Sequence, residues 1–242
     1  EETLEETPKV LVLITDAAGR RVRTLTGPAR AGVSRVNWDL RGANPAAVNL
    51  TPPGFRAPWD DPTRGPLVAP GRYTATLVVA TSAGIRTIGS QQSFEVKSVP
   101  NVSSDVVASA AFQGEVAELR RRVSSAQAEV GRHRDELRHL RAAVLEAPGA
   151  ELALLARIDS ASARLAGLAH RLNGDPARQR LNESDVPSIS GRVSTAMHSW
   201  ETRLPATTMA RQAAETAKAD LDVWTRDFQQ FVTDVLGGLR SA

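Results

Sequence analysis

The spacing of hydrophobic residues changes once along this 242-residue chain, near residue 100, and that change limits the possible folds more than any other feature. From Phe112 the positions 112, 116, 119, 123, 126, 130, 133, 137, 140 and 144 step by four and three. They carry Phe, Val, Leu, Val, Ala, Val, His, Leu, Leu and Val. A seam held over this length buries one stripe of a long helix against partner helices. Ser103 or Ser104 can cap its start, and Pro148 with Gly149 stops it. A second stripe runs through Leu154, Ile158, Ala161, Leu165, Leu168 and Leu172, and ends at Asn173, Gly174, Asp175 and Pro176. A third carries Ile189, Val193, Met197, Trp200 and Leu204, with Pro187 at a plausible first helical position. Pro205 separates it from a fourth through Ala217, Leu221, Trp224, Phe228, Phe231 and Val235. Helices are expected near 104–146, 150–172, 187–204 and 207–237. Short links make the first and second helices antiparallel, and likewise the third and fourth.

Before residue 100 the pattern is that of short strands. Val10 to Ile14 is a compact β-rich run, closed by a turn from Asp16 to Gly19. Arg21 to Leu25 alternates with period two, and a third segment alternates from Val36 through Trp38 to Leu40. Tyr73–Ala80 and Ile85–Ile88 flank a hairpin turn, and Phe94–Val96 closes the set. Six or so short strands fit an antiparallel sandwich. The fold class is therefore α+β in two segregated domains. Residues 1–7 are a tail or linker, and 8–99 an immunoglobulin-like β-sandwich with a proline-rich loop at 42–71. Residues 100–242 are an antiparallel helical bundle or coiled coil.

Charge and composition remove several functions. The net charge of +3 is small, and the basic excess falls before residue 100, with acids and bases balanced after it. Arg120, Arg121 and Arg122 are flanked by glutamates at helical spacing, so they read as a solvated face and no nucleic-acid partner is expected. The chain has no cysteine, which excludes thiol catalysis, disulfides and thiolate metal sites. No apolar run approaches the roughly 20 residues a bilayer-spanning helix needs. The chain starts at Glu1 without Met or signal peptide, as expected of a mature product or a piece of a longer protein.

No catalytic, cofactor-binding or metal-binding set emerges. His133, His139, His170 and His198 lie in helical segments without metal-ligand spacing, and His133 occupies the seam as a core polar residue. Asp60 and Asp61 are adjacent, and adjacent side chains diverge too far to serve as a glycosidase pair. Trp38 and Tyr73 are expected to fill the strand core, with the Tyr73 hydroxyl bonded to the backbone. The loop from Gly42 to Gly71 is the candidate recognition element. Its prolines stiffen it, and Phe55 and Trp59 stand between them as apolar anchors, or pack back on the fold.

The stretch Val36-Asn37-Trp38-Asp39-Leu40-Arg41, followed by Gly65 to Thr74 with Pro70-Gly71-Arg72-Tyr73-Thr74, resembles the C-terminal region of bacterial sortilin-like (VPS10-type) β-propeller proteins. Members carry BNR-type repeats and are often labelled glycosyl hydrolase-like. The similarity continues through Asp175–Glu183 and Pro187–Ile189 and covers most of the chain. It implies a FlgD-like, immunoglobulin-like sandwich followed by a helical tail, on an extracytoplasmic protein that is secreted or periplasmic. The propeller itself is absent from this chain. The resemblance implies a non-enzymatic scaffold or protein-interaction module, whose partner is a propeller domain or another protein. The rival expectations are an accessory part of a glycan-acting hydrolase and, more weakly, nucleic-acid binding.

Overall fold

A computed structural model describes residues 7–48, 64–98, 105–201 and 204–240. Four strands come first: β1 (Lys9–Asp16), β2 (Arg21–Gly27), β3 (Gly71–Thr81) and β4 (Gly84–Val96). Helices follow: α1 (Val106–Glu146), α2 (Ala153–Asn173), α3 (Pro176–Leu181), α4 (Ile189–Met197), α5 (Thr208–Gln230) and α6 (Gly237–Arg240). A 3-10 turn, His198–Glu201, follows α4, and a π-helical turn, Phe231–Leu236, joins α5 to α6. The protein is thus mixed α+β, an antiparallel sheet followed by helices.

The strands form one sheet in the order β2-β1-β3-β4, with antiparallel neighbours throughout. The β1–β2 turn is built by Asp16. Its Oδ1 accepts from the backbone N–H groups of Ala18 and Arg20, each at 2.9 Å, and Gly19 takes the positive φ of +75°. Ile85–Ile88 and Phe94–Val96, expected as separate strands, are the two ends of β4. A bulge joins them: Ala75 pairs with Gln92 and Leu77 with Ile88, so Thr76 alone faces Gly89 to Gln91.

The segment from Val33 to Leu40, expected as a third strand, joins no sheet, and among the described residues there is no second sheet. Local bonding explains the difference. Leu40 adopts φ +58°, and the Trp38 indole N–H reaches round to the Arg41 carbonyl at 2.9 Å, which closes a turn where a ladder would need an extended chain. Val33 is fully exposed. The core on this side is Ile14, Tyr73 and Val96, with Trp38, Leu40, Val68 and Phe94 packed against them.

The helices share a large apolar cluster. α1 contributes Leu119, Val123, Val130 and Leu137, α2 Ile158, Leu165 and Leu172, and α5 Leu221, Trp224 and Phe228. Two bonds fix the pairing of α1 with α2 as antiparallel: Gln127 to Asn173 at 2.6 Å and Arg141 to Asp159 at 3.2 Å. Buried Trp224 donates its indole N–H to the Leu168 carbonyl at 2.8 Å, and its ring stacks on Phe228 at 4.8 Å. α4 starts two residues after Pro187, because the Ser188 side chain caps it by accepting from the Gly191 N–H at 3.2 Å. Thr207 caps α5 in the same way through Ala210.

Two compact units divide the chain. One holds Glu1–Asn44, Ala57–Gly114 and Trp200–Pro205; the other holds Pro45–Arg56, Glu115–Ser199 and Ala206–Ala242.

Candidate functional site

Phe55 and Trp59, the anchors expected in the proline-rich loop, lie outside the described residues, as do Asp60 and Asp61. The remaining candidates fall at three places.

The first is the knot made by the Trp-Asp-Leu-Arg and Pro-Gly-Arg-Tyr segments. The rings of Trp38, Tyr73 and Phe94 meet with centroids 5.5 to 6.1 Å apart. The Tyr73 hydroxyl donates to the Ala69 carbonyl at 2.6 Å. Arg41 is 7% exposed, and its guanidinium donates to the carbonyls of Gly65 at 3.2 Å and Trp200 at 3.4 Å. The Arg41 backbone bridges to Leu67, and the Asp39 carboxylate accepts from the Arg41 N–H at 3.1 Å. These side chains are committed to holding the chain together.

The second is His133, 1% exposed on the α1 seam. Its Nε2 lies 2.9 Å from an Arg132 guanidinium nitrogen and its Nδ1 2.9 Å from the Glu136 carboxylate. A guanidinium has no acceptor, so in this arrangement Nε2 accepts, Nδ1 carries the hydrogen, and Glu136 receives it. The Phe228 ring lies 5.7 Å away and closes the apolar side. Both nitrogens are thereby satisfied inside a core, which is a packing role. No group of three His, Asp or Glu side chains suited to a metal is found among the described residues.

The third is a cleft of about 420 Å³ in the helical unit. One wall is the last turn of α2, with His170, Arg171 and Gly174; the opposite wall is α5, with Asp220 and Val223. The connection from Asp185 to Ser188 and the first turn of α4, with Ile189 and Arg192, complete it. Gly174 sits at φ +84°, and a Cβ there would come within 2.9 Å of the Gln179 amide nitrogen, so only glycine turns the chain into the rim.

The rim is held by its own side chains. Asp175 caps α3 by accepting from the Ala177 N–H at 2.8 Å. The two Asp185 oxygens accept from the N–H groups of Asp175 at 3.0 Å and Val186 at 2.8 Å. Those two backbone donors, aided by the charges of Arg178 and His170, hold the Asp185 carboxyl below its ordinary range. Gln179 donates to the Asn173 carbonyl at 2.9 Å, and Arg178 to the Ser184 carbonyl at 3.1 Å.

Inside the cleft the polar groups are less committed. Arg192 lies 3.8 Å from Asp220, too far for a hydrogen bond, and its Nε is buried with no acceptor among the described residues. Val186 is 77% exposed and Val223 42% exposed. The sequence reading did not single out this set, because its members come from three helices and a connection. The one available signal was the polar run after Asn173, which holds more hydrogen-bonding residues than a plain link needs. No family model, curated protein or solved structure matches this chain.

Proposed function

We propose that this chain is a non-enzymatic scaffold or protein-interaction module, the counterpart of the C-terminal tail of a secreted sortilin-like propeller protein. The observation that carries the reading is the knot around Arg41. The residues on which the resemblance rests are spent on closing the strand unit, through the Trp38, Tyr73 and Phe94 rings and the Arg41 guanidinium. Side chains used in this way serve as mechanical fixtures and leave no group free for bond chemistry. The finer architecture belongs to the same proposal. An immunoglobulin-like arrangement of the strand unit is supported by the Tyr73 hydroxyl bonded to the backbone four residues upstream. A coiled-coil character of the helices is supported by burial of Val116, Val123, Val130 and Leu137 at seven-residue intervals.

The test is a pair of measurements on the purified chain. Incubation with aryl glycosides and β-linked oligosaccharides is expected to give no turnover above buffer. A β-propeller domain encoded in the same reading frame or operon, added in trans, is expected to form a complex detectable by sedimentation. Glycoside turnover that follows the chain through two unrelated purifications and disappears on replacing one carboxylate would overturn the scaffold reading. Failure of the propeller to bind would remove the sortilin-like context.

A further inference from the structure

The connection between α2 and α4 buries no residue in its short helix α3, yet side-chain to backbone bonds from Asp175, Arg178, Gln179 and Asp185 fix its shape. A surface segment that adds nothing to a core gains little stability from being held so firmly. Rigid placement of a rim does matter to a ligand, because a preorganised wall spares the ordering cost of binding.

What the rim encloses has a definite chemical bias. Asp185 is largely engaged by the rim, since each of its oxygens accepts a backbone N–H group and its charge already faces Arg178 and His170. Asp220 is the other acid on the walls, and it stands 3.8 Å from Arg192. On the donor side, the Arg192 guanidinium has no hydrogen bond and the exposed His170 imidazole makes none among the described residues. Among the described residues, the unbonded N–H groups of Arg192 and His170 thus face one carboxylate, Asp220, that accepts no hydrogen bond. Beside them, Val186 and Val223 leave aliphatic surface open to solvent, and Pro187 adds to it. The volume, about 420 Å³, falls within the range of small-molecule clefts.

We infer that this cleft binds an aliphatic carboxylate, with the carboxylate set on Arg192 and His170 and the alkyl group laid against Val186 and Val223. Two sources present that chemistry: the last residue of a peptide chain with an aliphatic side chain, and a free branched short-chain acid. The site lies wholly within the helical unit and stands or falls independently of the scaffold reading.

Titration of the full chain with three probes tests it: 4-methylpentanoate, the peptide N-acetyl-Ala-Ala-Leu, and the same peptide with its C-terminus amidated. Binding is read from the methyl resonances of Val186 and Val223. At least one of the two acids is expected to saturate these shifts. The amide is expected to bind at least about tenfold more weakly, because the charge-assisted bonds are lost. Tighter binding of the peptide assigns the site to a chain terminus, and tighter binding of 4-methylpentanoate to a free acid. Arg192→Gln is expected to weaken the preferred acid about tenfold with the melting temperature little changed, as its ion pair to Asp220 is long and its partner half exposed. If that variant does not fold, His170→Gln, at an exposed position, carries the same test with a smaller expected loss. The inference is overturned if neither acid shifts the two valines at about 10 mM, if the amide binds as well as the acid, or if the folded variant keeps full affinity.

Discussion

At the scale of single residues, the strand unit depends on a few side chains and one missing side chain. Asp16 builds the β1–β2 turn. Partial burial pushes its carboxyl up, but the Arg20 backbone N–H, the Arg20 guanidinium and the Ala18 N–H outweigh that and hold it below the ordinary range. A carboxyl depressed in the folded state stabilises the fold above its unfolded pKa, near 3.9, and loses that contribution as pH falls through the lower folded value. Asp16→Asn is therefore expected to lower stability at pH 7 by about 1 kcal/mol and to have less effect near pH 2, as read from urea midpoints at the two pH values. A loss of equal size at both would show that the charge plays no part. Gly65 matters for what it lacks. A Cβ there would stand 2.3 Å from the Gly42 carbonyl oxygen, and the obstruction is backbone, which cannot swing aside. Gly65→Ala is expected to break the Arg41 bond to the Gly65 carbonyl and cost roughly 2 kcal/mol or more. An unchanged melting temperature would show that the knot around Arg41 is dispensable.

At the scale of elements, α1 separates two kinds of seam residue. Val123 is completely buried among apolar neighbours, so Val123→Ala should cost about 2 kcal/mol through lost burial and the cavity left behind. His133 is buried in the same row but held by Arg132 and Glu136, and its bonds replace ones that water would supply. His133→Leu is expected to change stability by less than about 1 kcal/mol, since a well-packed apolar residue often matches a buried polar network. Equilibrium denaturation of both variants checks the contrast, and a larger loss at His133 than at Val123 would reverse it. The seam was legible in the sequence for a physical reason: a helix buries one side at a fixed period, so Val116, Val123, Val130 and Leu137 announce themselves without knowledge of the partner. The strand unit was less legible. Val36, Trp38 and Leu40 alternate as a strand would, but a hydrogen bond between Trp38 and Arg41 and a positive φ at Leu40 override the alternation. The bulge in β4 hid the continuity of Ile85–Ile88 with Phe94–Val96, because it interrupts the regular pattern over Gly89 to Ser93, where no apolar side chain marks a buried face. The π-helical turn at Phe231–Leu236 has the same effect in a helix, moving the fully buried position from Val235 to Leu236. The cleft was the least legible feature, since no local period links His170, Asp185, Arg192 and Asp220.

At the scale of the whole molecule, the two units do not coincide with two lengths of sequence. The unit that contains the sheet also takes residues up to Gly114 and the short stretch Trp200–Pro205. That stretch makes definite bonds within its unit: the Trp200 carbonyl accepts from Arg41 at 3.4 Å, and the Leu204 carbonyl accepts from the Ser109 hydroxyl at 3.3 Å. Phe112 and Trp200 are each at least nine-tenths buried. In the other direction, Pro45 is fully buried in the helical unit, where the Ala47 N–H donates to the Ser124 hydroxyl at 2.7 Å. A cut at residue 100, where the hydrophobic period changes, therefore removes from the unit that holds the sheet a buried carbonyl partner of Arg41 and the apolar side chains of Phe112 and Trp200. The Arg41 guanidinium keeps the Gly65 carbonyl but loses its bond to Trp200, a charge-assisted bond worth about 1.5–3 kcal/mol, before any loss of packing is counted. Residues 1–100 expressed alone should consequently show amide exchange in β1 and β3 at least about tenfold faster than in the full chain. Supplying the missing stretch by fusing residues 199–206 through a flexible linker should recover only part of that protection, because Ser109 and Phe112 remain absent. Exchange in β1 and β3 unchanged by the cut would show that the sheet folds without the later segments and that the change of period at residue 100 is also an energetic boundary.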